Sequence, residues 1–164
     1  MSKRIVLLQA LASTPNDLGL TVRGMAGVAV WQRPSPDQWS VVDVVAHLIY
    51  VEQRYLQRLQ QVIAEERPFL LAIKPDETRH DTQVGIEELN GRFEKARVET
   101  LSFLKEISPG GWQRKAIHET RGDVTLRFLV QFLVEHDIAH LNQIIEIQQQ
   151  LRALPKRDVQ PAIP

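Results

Sequence analysis

The sequence predicts an all-α fold, a four-helix bundle, and three observations lead there. Four long segments place apolar residues at helical spacing. Stretches rich in proline and glycine separate them. The chain has 164 residues, 43% of them hydrophobic, which suits one domain with a sizeable core. A single domain is expected over residues 1–152, followed by an extended tail over 153–164 that holds Pro155, Pro161 and Pro164.

The first helix is expected from roughly Lys3 to Met25, with Gly24 and Gly27 ending it. Thr14-Pro15 inside it suits an N-cap and first-turn pair, so a kink or split is expected there. Val28 to Gln38, with Pro34 and Pro36, forms a connection. The second helix runs from Ser40 to about Glu66, with Val42, Val45, Ala46, Ile49, Leu56, Leu59 and Ile63 at helical spacing. Its start carries a capping box, Ser40 with Asp43 three residues on, and Trp39 against Val44 would be the hydrophobic staple. Phe69 to Thr82 reads as a polar, irregular stretch. The third helix covers about Val84 to Ile107, where Pro109-Gly110-Gly111 stops the chain. Trp112 to Asp123 has room for a turn or a short extended pair, Arg121-Gly122-Asp123 being turn chemistry. The fourth helix begins near Val124 or Thr125 and runs to about Leu151, with Leu126, Leu129, Leu133, Ile144 and Ile147 inward. About 16 residues between helices two and three reach at most roughly 53 Å, against about 38 Å for a 25-residue helix, so that loop can cross the bundle and make the two helices parallel.

Charge narrows the function. Twenty basic and twenty acidic residues give a formal net charge of zero, so no cationic field steers nucleic acid or anionic membrane to the chain. There is no cysteine, which excludes disulfides, thiolate ligands and a cysteine nucleophile, and fits a cytoplasmic location. No apolar run approaches the roughly 20 residues that span a bilayer. Ile5 to Ala12 after Lys3-Arg4 is short for a signal peptide and is broken by Gln9, so a first helix is the reading.

The residues that carry chemistry are histidines. His47 lies on the second helix in a strip with Asp43, Tyr50, Val51 and Arg54. His136 and His140 stand at i and i+4 on the fourth and so project from one face. Three imidazoles from two helices make an open metal site if they meet. On the residues alone, the alternative is histidines satisfied in the core or at the surface. His80, among Thr78, Arg79 and Asp81, reads as solvated, and His118, in the connection before helix four, reads as a surface residue first and as one that could approach a site second. Asp137 is turned about 100° from His136 and reads as a surface or outer acid rather than a ligand. Gln143, one turn after His140, is a pocket residue or an interhelix hydrogen-bonding group. Asp43 could orient His47, though capping already explains it.

Trp39-Ser40, Asp43, His47-Leu48, Glu52, Arg97-Val98-Glu99-Thr100-Leu101, Gly122, Thr125-Leu126 and His136-Asp137-Ile138-Ala139-His140-Leu141-Asn142-Gln143-Ile144 together resemble the DinB/YfiT-like metal-binding superfamily across most of the chain. The resemblance implies a four-helix bundle, commonly up-down-down-up, with His47, His136 and His140 as metal ligands. It also implies metal-dependent chemistry on a small-molecule substrate, by a transferase that uses a low-molecular-weight thiol or by a hydrolase, and a homodimer. Zinc or nickel suits the all-nitrogen set best, with iron or manganese also open.

Three neutral imidazoles leave coordination positions for water or substrate, so the ion could lower the pKa of water or of a thiol. The His-Glu-x-x-His pattern of metalloproteases is absent, Asp137 standing where Glu would be. A non-catalytic helical module steadied by metal is the alternative. It would be favoured by a fourth protein ligand, such as His118 or Asp43, closing the sphere.

Overall fold

The computed structural model describes residues 2–25, 27–74 and 84–153. Four helices form the body: α1 (Lys3–Val22), α2 (Val41–Ala64), α3 (Ile86–Glu106) and α4 (Leu126–Ala153). Three short strands complete it: β1 (Phe69–Leu70), β2 (Lys115–His118) and β3 (Gly122–Thr125). The helix boundaries fall within a few residues of those expected. The expected tail after Ala153, and His80, lie outside the described residues.

Burial fixes the helix directions. One core cluster joins Leu11 of α1, Leu59 and Val62 of α2, Leu104 of α3, and Leu126 to Leu133 of α4. The other joins Leu18 and Val22, then Val41 to Leu48, then Leu89 and Phe93, then Ile144 and Ile147. The first cluster therefore gathers the early part of α1 and α4 with the late part of α2 and α3, and the second gathers the opposite ends. The order is up-down-down-up, α1 and α2 each packing against both α3 and α4. Parallel α2 and α3 require the long crossover, and the chain supplies it between Ala64 and Ile86.

The inward face of α2 is rotated slightly from the expected one. Tyr55 and Val62 are buried, while Leu56 and Ile63 are only partly so. The capping box forms as read: Ser40 Oγ accepts from the Asp43 N–H at 3.2 Å, and the Ser40 N–H donates to Asp43 Oδ2 at 2.8 Å.

Pro15 does not split α1, which runs unbroken from Lys3 to Val22, a correction to the expected split. A proline at this position leaves the carbonyl four residues back, that of Leu11, without its helical donor. Arg97 of α3 supplies one instead, its Nη1 donating to Leu11 O at 3.1 Å. The same guanidinium meets Glu52 of α2 side-on, Nε to Oε1 at 2.9 Å and Nη2 to Oε2 at 2.7 Å, and Asp137 Oδ2 of α4 at 2.8 Å. Thr14 of α1 donates to Asp137 Oδ2 at 3.2 Å. One buried arginine, at 0% exposure, thus ties all four helices together, with Glu52 and Asp137 at 1% each. Asp137 is accordingly an interior acid, not a surface one.

The segment before α4 is the short extended pair foreseen as one option, an antiparallel β2–β3 hairpin that turns at Gly122 with φ of 68°, where a side chain would be strained. The stretch expected to be irregular contains β1, which pairs parallel with β2, Phe69 facing Ile117 and Leu70 facing His118. Arg114 anchors this small sheet to the end of α2 by donating to Val62 O at 2.7 Å and Glu65 O at 2.6 Å.

Candidate metal centre

His47 enters near the start of α2, seven residues beyond the cap that sets its register. His136 and His140 project from one face of α4. The three Nε2 atoms converge: His47 to His136 at 3.2 Å, and His140 to His136 at 3.1 Å. Among the described residues these three form the group able to hold a metal ion, their ligand atoms all within 4.8 Å of one another. Two nitrogens bound about 2.0–2.1 Å from one tetrahedral ion lie about 3.3–3.4 Å apart, so the spacing is close to that of a shared ion.

Proton placement makes the same point. Gln143 Oε1 accepts from His140 Nδ1 at 2.7 Å, which puts the proton on Nδ1 and leaves Nε2 of His140 as a lone pair. His136 Nε2 has two imidazole nitrogens beside it and at most one proton. Hydrogen bonds among the three rings therefore cannot satisfy both contacts, whereas one cation can. Burial, and then the neighbouring imidazoles, hold His47 to a pKa of about 4, and His140 is lowered to about 4 chiefly by burial and His136. Both are neutral at pH 7, the form that ligates. Trp39 lies beside the cluster, its ring centroid 5.0 Å from that of His47 and 6.1 Å from that of His140, nearly parallel to the latter.

The cluster forms part of the lining of an open cavity of about 330 Å³. Val51, Tyr55 and Arg58 of α2 and Phe132 of α4 continue the lining, with Ala72 and Ile73 of the crossover and His118, Thr120 and Arg121 of the hairpin at the other end. The α2 residues stand 4, 8 and 11 positions after His47, within about 80° of it and all rotated to the same side. Tyr50, three positions on, is rotated about 60° the other way and does not line the cavity.

Asp43 is occupied by the capping box and by Arg33 Nη2 at 3.0 Å. Asp137 belongs to the arginine network, its Oδ1 3.9 Å from His136 Nδ1. Gln143 does not line the cavity; it bonds a histidine on its own helix rather than another helix. His118 is buried, at 8% exposure, and lines the cavity, a correction to its surface reading. It is not part of the three-histidine group, and neither is Asp43, so no fourth donor among the described residues closes the sphere. Arg58, Arg121, Tyr55 and Phe132 were missed at the sequence level. For three of them the signal was spacing, Tyr55 and Arg58 from His47 and Phe132 four residues before His136; Arg121, between two strands, had none.

A sequence model of the DinB superfamily matches residues 10–144. YuaE of Bacillus subtilis is 21% identical over 159 residues, covering 87% of this chain and 95% of YuaE. The structure of YfiT from Bacillus subtilis, described as a probable metal-dependent hydrolase with an unusual four-helix bundle topology, matches with a TM-score of 0.78 at 19% identity, over 93% of this chain and 90% of YfiT. A DinB-like protein of the same organism, YjoA, matches with a TM-score of 0.63 at 15% identity, over 91% of this chain and 94% of YjoA. At such identities the structural likeness is one of fold. No described helix is long and apolar enough to cross a membrane.

Proposed function

The chain belongs to the DinB superfamily, and from that premise we propose that it is a metal-dependent enzyme acting on a small molecule through His47, His136 and His140. The observation that carries this reading is three imidazole Nε2 atoms converging on one point in the wall of an open cavity, with no fourth protein donor among the described residues. A divalent ion bound there supplies a Lewis acid with a position left for a small nucleophile, water in a hydrolase or a low-molecular-weight thiol in a transferase. The ligand set serves both, and the description of YfiT as a probable hydrolase supports the first.

The protein's own groups orient and enclose. Gln143 fixes the tautomer and angle of His140. Trp39 covers His47 and His140 on one side, and Tyr55 and Phe132 supply apolar walls. The Thr120 N–H donates to His118 Nδ1 at 3.3 Å, so His118 carries its proton on Nε2 and is a hydrogen-bond donor for the substrate. Burial, with Arg58 and Arg121 next in weight, lowers the His118 pKa and keeps the ring neutral.

The test has two stages. His47→Ala should lose metal by elemental analysis while keeping its far-ultraviolet circular dichroism, because the helices bury their own apolar faces. Unchanged metal content would remove His47 from the site. Metal-loaded, metal-free and His136→Ala protein then meet a panel of esters and amides and a panel of thiols with electrophiles. Turnover by the loaded protein alone identifies the reaction class, and equal background rates in all three samples would leave a non-catalytic metal-binding module.

A further inference from the structure

Two arginines line the same cavity toward its other end, and neither has a carboxylate partner among the described residues. Arg58 is partly buried, donates to the Leu71 carbonyl and lies over the Tyr55 ring at 5.5 Å. Arg121 lies over the Phe132 ring at 4.1 Å. The adjacent acid, Glu119, is engaged by the crossover, its Oε2 accepting from the N–H of Ala72, a lining residue, at 2.8 Å. His118 stands beside both arginines with its remaining N–H unclaimed by Thr120. Arg58 is partly buried and Arg121 exposed, and since neither is paired with a carboxylate among the described residues, both guanidinium groups keep N–H donors for an anion. The chain as a whole is neutral, so this is a local charge and not part of a general basic field.

We propose that Arg58 and Arg121 form an anion subsite, so that the substrate is a bipartite small molecule with its reacting group at the three histidines and a carboxylate or phosphate at the arginines. Eleven residues separate His47 from Arg58 on α2, about 16 Å of helix axis. Guanidinium groups recognise carboxylate and phosphate alike through paired N–H donors. The proposal rests on the three-histidine centre for the reacting end only; the anion end stands on the arginines themselves.

The experiment uses hydroxamates with alkyl tails of graded length that end in carboxylate, phosphonate or neutral carboxamide, titrated calorimetrically into metal-loaded protein. The charged tails should bind at least tenfold more tightly than the carboxamide at the best length. That advantage should vanish in Arg58→Gln and in Arg121→Gln, and persist in Arg92→Gln, a surface arginine of α3. The stronger of the two charged tails identifies the natural anion. Equal affinity for charged and neutral tails, or an advantage that survives both cavity substitutions, overturns the subsite while leaving the metal reading intact. If no hydroxamate binds, the metal reading fails, and glutarate and inorganic phosphate titrated into metal-free protein decide the subsite. Binding that both arginine variants lose supports it, and no binding overturns it.

Discussion

Replacing Arg97 by methionine should nearly unfold the protein. The change keeps an apolar side chain of similar reach but removes the cation shared by Glu52 and Asp137, which are each 1% exposed. Breaking a buried ion pair by removing one member costs about 3–5 kcal/mol, and here two carboxylates lose their partner together. The Leu11 carbonyl also loses its donor, for about 1–3 kcal/mol, since Pro15 cannot replace it. A loss of about 5 kcal/mol or more is expected, against a total of about 5–15 kcal/mol for a domain. Urea denaturation followed by circular dichroism measures it. Neutralising both acids, with Glu52→Gln and Asp137→Asn in the Arg97→Met background, should recover at least about 2 kcal/mol, because buried amides are cheaper than buried charges. Pro15→Ala should help the Arg97→Met protein by about 1 kcal/mol more than it helps the parent, because it returns a backbone N–H to Leu11 O. An unfolding free energy of Arg97→Met within about 1 kcal/mol of the parent's would refute the view that this arginine holds the helices together. Absence of coupling with Pro15 would refute its role as the substitute donor.

Three further outcomes are expected. Ser40→Ala should cost about 1 kcal/mol in the same denaturation assay, since the capping box is formed and buried; metal affinity should barely change, because packing still holds His47. Gln143→Leu should weaken metal binding by about 10- to 100-fold in a competition titration with a chelator, by freeing the His140 ring, and unchanged affinity would mean the tautomer is set elsewhere. For the metal-free protein, His47 and His140 have pKa values of about 4 when folded and 6.5 as the ordinary value, so the unfolded chain binds more protons between the two. Stability should therefore be full above about pH 6.5 and fall as pH drops toward 4. The urea midpoint at several pH values checks this, and replacing both histidines by glutamine should flatten the dependence.

The fold was legible because helical periodicity and the breaks at Pro34, Pro36, Pro68 and Pro109-Gly110-Gly111 report local preferences that the packed structure keeps. Periodicity did not give the chain direction of α3, since a long loop permits crossing without requiring it; the up-down-down-up order came only with the family resemblance. His136 and His140 were visible as an i,i+4 pair, but their meeting with His47 is a tertiary event that spacing within one helix cannot encode. Asp137 was read as an outer acid on its angle to His136 alone. Its place in line with Leu133 and Ile144, matched by Glu52 and Arg97 on the inner faces of α2 and α3, was the overlooked sign of a buried ion cluster. β1 escaped notice because two residues carry no period, and its partner lies 48 residues away. Arg58 and Arg121 escaped because a charge matters to a cavity only after its walls are assembled.

The parallel pairing of β1 with β2 separates two inheritances within one cavity. The histidines stand on helices tied together by a single buried arginine, so a change at that arginine reaches all four. The opposite wall is made of Ala72 and Ile73 from the crossover and Thr120 and Arg121 from a hairpin tip, segments held by a few backbone hydrogen bonds at the end of the bundle. Loops of this kind accept insertions and substitutions that helices reject. A lineage built on this plan can therefore exchange the molecules it recognises by rewriting two short stretches, while the metal-binding helices stay as they are.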